Sequence, residues 1–115
     1  MENNIVKDRI VCSGALFYAR STRRFLLLQK AHGKHAGTWG LVGGTNIVGE
    51  TPWQGLQREI QEEIGSVPTF IKSIPLETFV SNDLIFNFYT YLCVVADEFV
   101  PELSEEHSAW AWAIM

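Results

Sequence analysis

The sequence is poor in cysteine. Its two, Cys12 and Cys93, stand far apart in 115 residues, which excludes a disulfide framework and a zinc-binding pattern, and fits a reduced compartment. Long apolar runs are missing too: runs such as residues 91–96 are far too short to cross a bilayer. Residues 1–8 carry Glu2 and Asp8 and no apolar stretch, so they do not read as a secretory signal. Cations are few, nine Lys and Arg against thirteen Asp and Glu, for a net charge of −4. Tracking a nucleic-acid polymer needs clustered Lys and Arg. Neither a nucleic-acid polymer nor a membrane is therefore an expected partner, and the expected location is cytoplasmic. There is no internal repeat, low-complexity stretch or linker. Residues 1–115 are expected to form a single domain.

What is present is the balance of a globular protein, 47% hydrophobic and 19% charged. Residues 9–18 and 25–29 read as two strands joined by a short polar turn, a hairpin signal. The arginines in that turn, Arg20, Arg23 and Arg24, read as solvated. A glycine-rich loop follows at residues 31–37. A short strand is expected at 38–42, broken by Gly43-Gly44. Strands are expected again at 69–74, 76–80 and 84–95, with a turn at Asn82-Asp83. An acidic loop at 97–106 leads to a last strand at 108–115.

The one helix is well marked. Thr51 suits the N-cap, Pro52 the first helical position and Gln54 the reciprocal place of a capping box, while Gly65 suits the stop. Trp53, Leu56, Ile60 and Ile64 recur at spacings of three and four and share one face. Gly55 inside the helix suggests the close approach of another backbone. Glu59, Glu62 and Glu63 fall at i, i+3 and i+4 and span roughly 100° of arc. Carboxylates so close raise one another's pKa values, and hard oxygens of this kind suit Mg²⁺, with Mn²⁺ as a substitute. Alone, such a triplet more often marks an ordinary solvated face.

Its surroundings change that reading. Gly44, Glu50, Arg58, Glu59, Glu62, Glu63 and Gly65 carry the spacing G-x5-E-x7-R-E-U-x-E-E-x-G-U, where U is a bulky aliphatic residue and Ile60 fills the first U. At usage of roughly 5–7% per residue type, seven matches coincide by chance in about one sequence in a million. The segment resembles the signature of the Nudix hydrolase family. Ser66 departs from the pattern at the last U. Trp39-Gly40-Leu41-Val42-Gly43-Gly44 resembles the family's W-G-L-P-G-G, with Val42 in place of proline, and Ile47 stands where many members have Glu.

The resemblance implies an α/β fold, an α/β/α sandwich around a mixed β-sheet. The family's second, C-terminal helix has no counterpart before Met115, and the sheet it would cover leaves a homodimer as one expectation. The resemblance also implies a Mg²⁺-dependent hydrolase that cleaves the diphosphate of a nucleoside diphosphate linked to another moiety. The small molecule could be a nucleoside triphosphate, a nucleotide sugar or an ADP-ribose type compound. Glu59, Glu62 and Glu63 would be metal ligands, with Glu59 alternatively handling the attacking water. The Gly44 carbonyl would be a backbone ligand. Arg58, paired with Glu50, would orient the carboxylates. A further acid is expected from Glu105 or Glu106, with Glu106 taken as the metal ligand.

Lys30, Trp39, Gly43 and His107 are the candidate substrate contacts. His107 is also a candidate base, because the run Glu106-His107-x4-Trp112 resembles a tail element of the family's nucleotide-sugar hydrolases. His32 and His35 read as solvated loop residues, and Trp53, Phe86, Tyr89 and Trp112 as core. The alternative reading is a Nudix-like module that binds a nucleotide without turning it over.

Overall fold

A computed structural model describes residues 9–115; the reading of residues 1–8 lies outside them. The chain runs β1 (Ile10–Ala19), β2 (Arg24–Lys30), β3 (Trp39–Gly40), β4 (Val42–Thr45), α1 (Pro52–Ile64), β5 (Lys72–Val80), β6 (Phe86–Val95) and β7 (His107–Ala113). All seven strands join one mixed sheet. No helix among the described residues is long and apolar enough to cross a membrane.

The strand β1 organises the sheet. One edge pairs in parallel with β6 along its whole length, from Ile10↔Phe86 to Ala19↔Val95. The other edge forks. Tyr18 and Ala19 pair with β2, whereas Cys12–Ala15 pair with β4. Beyond the fork β2 takes β3 at Leu28 and Gln29 and carries β7 on its far edge. The segment 39–45 therefore fills the wedge between two diverging strands. Glycine permits this close approach: Gly43 lies opposite Gly14, and a Cβ on Gly43 would run into the Ser13 carbonyl. The expected strand at 38–42 is corrected accordingly. The break falls at Leu41, and Gly43-Gly44 lie inside β4.

The helix follows its sequence signals. The Thr51 hydroxyl accepts from Gln54 N at 3.1 Å, Gln54 Oε1 accepts from Thr51 N at 3.0 Å, and Gly65 ends the helix at φ 72°. Leu56, Ile60 and Ile64 are buried against Ala15, Phe17 and Ala19 of β1 and Cys93 and Val95 of β6. Trp53 meets Tyr91 and Phe70 at the margin of this core, with ring centroids 5.1 and 6.1 Å apart. Trp112 is buried, and its indole N–H donates to the Phe99 carbonyl. Gly55 does make room for a neighbour, but that neighbour is the Asn46 side chain rather than a backbone.

Other boundaries shift for local reasons. The two strands expected at 69–74 and 76–80 are one, β5, with an irregularity between Pro75 and Glu77, where proline has no N–H for the ladder. Leu84, at φ 66°, belongs to the turn before β6, where Asp83 Oδ1 accepts from Ile85 N. Arg24 is not a free turn residue: its fork donates to Glu98 at 2.6 and 2.8 Å. The described residues place one helix on one face of the mixed sheet. On the sheet's outer part β5 is exposed throughout, with Phe79 half exposed.

Candidate functional site

The loop from β4 to α1 is held by Asn46. Its Nδ2 donates to the Thr51 carbonyl at 2.9 Å, its Oδ1 accepts from the Ser13 hydroxyl at 3.2 Å, and its backbone N–H bonds Val11 O at 2.7 Å. The Pro52 carbonyl lies 2.9 Å from the same hydroxyl, whose one proton is shared between these two acceptors. The start of the helix is thus pinned to β1, and the charged turns of α1 are aimed across β4.

Arg58 is the hub of the acidic face. Its Nε and Nη2 donate to the two oxygens of Glu50 at 2.8 and 3.1 Å. Nη1 reaches Glu59 at 3.2 Å and Glu62 at 3.1 Å, and Nη2 also bonds the Thr45 carbonyl. Such a planar fork fixes several oxygens at once. The Arg58 hydrogen bond, followed by that from Ile47 N, holds the Glu50 carboxyl below its ordinary range. The same carboxylates, Glu50 first, raise Arg58 further.

The three helix carboxylates do not share one environment. Glu62 is largely exposed, Glu59 is mostly covered, and Glu63 is 3% exposed. Glu63 accepts from Gly43 N at 3.1 Å. Burial pushes its carboxyl up to about 8, against the pull of the Gly43 N–H and with the help of Glu59 and Glu106. A buried carboxylic acid beside two other carboxylates is a place where a cation would relieve repulsion.

Glu106 arrives from the far end of the chain. Glu102 N donates to Ile64 O at 3.0 Å and Ser104 N to Glu63 O at 3.1 Å, so this loop is laced to the end of α1. Ala31 N then bonds Glu106 O at 2.9 Å, and His107 lies opposite Lys30 across β7 and β2.

These elements enclose an open cleft of about 470 Å³. Glu59, Glu63 and Glu106 line it beside Gly43, Gly44 and Thr45. Lys30, His32, His107 and Leu41 complete the lining. Of the residues singled out in the sequence, Glu59, Glu63, Gly44, Glu106, Lys30, Gly43 and His107 meet here. Arg58, Glu50 and Glu62 stand beside it, joined through Arg58. Trp39, on β3 and half exposed, and Glu105, in the exposed turn, lie outside the lining. His32 lines the cleft, whereas His35 does not. Leu41, quoted only as part of the run at 39–44, also lines the cleft; Asn46 and Ser13 carry no charge and no signature position, and sequence reasoning misses them. The one available signal was Gly55, whose missing side chain asks for a neighbour.

Among the described residues no three or more acidic, imidazole or thiol side chains are already drawn into a metal cage. Arg58 holds two of the helix carboxylates instead. The donor chemistry still fits a hard divalent ion: oxygens only, a buried carboxyl destabilised as an anion, and a Gly44 that leaves the space before Glu59 open. A Cβ on Gly44 would lie 2.6 Å from Glu59 Cδ.

His107 is buried, with Nδ1 enclosed and unpartnered among the described residues. Burial lowers its pKa, Glu106 pulls it up and Lys30 lowers it further.

Comparison with known proteins agrees with this picture. The model of the NUDIX domain matches residues 9–113. "Nudix hydrolase 7" of Arabidopsis thaliana is 34% identical over 67 residues, which are 56% of this chain and 24% of that protein. A MutT/nudix family protein from Enterococcus faecalis superposes with a TM-score of 0.75 at 19% identity, over 90% of this chain and 43% of its own. The NUDIX domain of NrtR from Shewanella oneidensis, solved with ADP ribose, gives 0.73 at 18% identity, over 97% and 77%. At such identities the likeness concerns the fold. The chain spans about a quarter of the length of the plant relative.

Proposed function

The chain belongs to the NUDIX domain family, and we propose that it is a hydrolase of the diphosphate linkage in a nucleoside diphosphate derivative. The observation that carries this reading is Glu63, buried beside Glu59 and Glu106 at the wall of an open cleft, with Gly43 N–H on one oxygen. A single domain over residues 1–115 is part of the same proposal.

Glu59, Glu62, Glu63 and Glu106, with the Gly44 carbonyl, are the groups that would hold Mg²⁺ or its substitute Mn²⁺. A divalent ion bound there supplies Lewis-acid charge and lowers the pKa of water. The chain's own residues do the rest. Arg58, clamped to Glu50, fixes the carboxylates of Glu59 and Glu62. Glu59 lies near enough to the cleft to take the proton of an attacking water. Gly43 keeps the wall free of side chains, so a phosphate can approach the backbone. Lys30 and His107 contact the substrate from the opposite lining, and Trp39 offers an exposed indole face for a base or sugar at the edge.

The competing reading is binding without turnover. Phosphate and diphosphate release from a panel of nucleoside triphosphates, nucleotide sugars and ADP-ribose, with and without Mg²⁺, separates the two. The hydrolase reading expects Mg²⁺-dependent turnover that falls at least about 100-fold in Glu63→Gln while circular dichroism stays unchanged. Full turnover in that variant would remove Glu63 from the site. Binding with no turnover across the panel would establish the module.

A further inference from the structure

The mixed sheet has two outer edges, and the chain treats them differently. β5 pairs with β6 alone and β7 with β2 alone. Each offers an outer row of backbone N–H and C=O groups with no strand beyond it among the described residues, a template for a further strand. β5 is defended: Lys72 and Glu77 put charge on it, and Pro75 stands at its irregularity. β7 carries none of these devices. Its sequence, His107-Ser108-Ala109-Trp110-Ala111-Trp112-Ala113, holds no Lys, Arg, Asp, Glu or Pro. The one shift in its pairing falls at its start, beside Gln29 and Lys30. Trp110 is 37% exposed, a large apolar side chain left open on this strand. Val100, next to the Phe99 whose carbonyl holds the Trp112 indole, is 73% exposed, and Ile114, directly after β7, is 80% exposed.

The pattern of β7 identifies the strand that suits this edge. Residues 109–113 read Ala-Trp-Ala-Trp-Ala, the same in both directions. A second β7, antiparallel about a twofold axis at Ala111, sets Ala111 against its own copy. Trp110 of each copy then falls opposite Trp112 of the other. The two tryptophans share one face of the strand, so the indoles meet on that face and only alanines meet on the other. Aromatic cross-strand pairs stabilise a sheet, and in this register no charge opposes a like charge. A twofold interface must be self-complementary, and this segment is so in its sequence. We propose that β7 is a homodimer interface, where two copies join edge to edge at residues 109–113 into one continuous sheet. The homodimer expected from the sequence is thereby placed at an edge, not on the face that a second helix would cover. His107, which lines the cleft, lies four residues from the axis, so the two clefts stand roughly 25 Å apart along the strands.

Sedimentation velocity of the protein over a concentration series tests this. A contact of five residues a side is small for an interface, so the expected behaviour is a reversible dimer with a Kd on the order of 10 µM. Ala111→Lys sets two like charges against each other across the axis and should leave a monomer with parental circular dichroism; Ala111→Glu should do the same. An equimolar mixture of these two variants should associate again, because Lys then meets Glu. A merely destabilised strand would not give that rescue. Ala111→Cys keeps the side chain small and holds two Cα atoms about 4.5–5.5 Å apart, within disulfide reach. On air oxidation it should form a linked dimer in far higher yield than the parent, whose cysteines are Cys12 and Cys93, and it decides the matter where the charged variants fail to fold. A parent that stays monomeric up to about 200 µM overturns the proposal. So does a dimer that survives Ala111→Lys, a mixture that stays monomeric, or an Ala111→Cys protein that does not crosslink. Turnover per chain should be unchanged in Ala111→Lys, so the fate of this interface and that of the hydrolase reading are read separately.

Discussion

Replacing Gly55 by alanine should destabilise the protein, against the usual rule for a helix interior. Alanine in place of glycine ordinarily stabilises a helix by about 1 kcal/mol. Here the added Cβ would enter the space of the Asn46 amide. That amide cannot move without loosening its bonds to Thr51 O and from Ser13, at 2.9 and 3.2 Å. Overpacking costs about 1–3 kcal/mol, and each neutral hydrogen bond contributes about 0.5–1.5 kcal/mol. The sum, about 2–6 kcal/mol if both bonds are lost, exceeds the propensity gain, so Gly55→Ala should lose about 1–5 kcal/mol, a fall of several degrees or more in Tm. Asn46→Ala should lose about 1–2 kcal/mol by itself. In that background the space is free, and adding Gly55→Ala should now stabilise by about 1 kcal/mol. The sign of the Gly55 effect thus reverses, with a coupling of about 2 kcal/mol or more in a double-mutant cycle. Urea unfolding of the four proteins, at constant m-value, measures it. A Gly55→Ala protein more stable than its parent would refute the Asn46 clamp.

The remaining predictions concern charge and access. The metal-free protein should lose stability as pH rises from about 4.5 to about 8, because folded Glu63 keeps its proton while the unfolded chain has released it. Thermal unfolding across that window should show the slope, and Mg²⁺ should flatten it by favouring the ionised carboxylate; a pH-independent Tm would contradict the burial argument. Glu98 behaves oppositely. Arg24 and then Thr22 lower its pKa, so its contribution is present above the ordinary carboxylate pKa and lost as pH falls through the lowered value. Carboxyl NMR titration should find Glu98 moved up in Arg24→Met, and an unmoved titration would show that the pair does not form in solution. Gly44→Ala sets a methyl against the Glu59 carboxylate. It should reduce turnover on the order of 100-fold, since small misplacements at a site act that strongly, with a Tm change of only a few degrees. A variant with parental kcat would mean that Glu59 needs no such clearance.

The sequence made the helix and its chemistry readable for separate reasons. Capping is local: Thr51, Gln54, Pro52 and Gly65 each act within one turn, so no tertiary context could overrule them. The carboxylates were readable by type and spacing, but not by burial. Glu63 looks like Glu62 in a spacing pattern, and only the approach of β4 and of the 102–106 loop hides one of them. The wedge at 39–45 was misread because glycine marks breaks and close approaches alike. Gly43-Gly44 end nothing; they let β4 lie against β1. The joining of β5 into one strand was hidden by Pro75, which suggests a break but sits at an irregularity of an edge strand. Asn46 was invisible for another reason. A polar side chain that clamps a loop by hydrogen bonds to distant backbone leaves no periodic trace.

The distribution of charge explains why the acidic face can exist at all before a metal enters. Four carboxylates, Glu50, Glu59, Glu62 and Glu63, lie within fourteen residues of chain. Three of them are bonded by one guanidinium. Glu63 is the one that Arg58 does not reach, and it is also the one held by a backbone N–H and driven toward its neutral form. Neutralisation by a proton therefore takes the place, at Glu63, of the cation that Arg58 supplies to the others. A divalent ion entering the cleft must displace that proton, so its binding should release protons and strengthen as pH rises. Metal titration in buffers of different ionisation enthalpy counts the protons. Release of about one proton per site near neutral pH, lost in Glu63→Gln, is the expected result. Metal binding in the parent protein with no proton released would mean that Glu63 is already ionised and that some cation other than Arg58 compensates it.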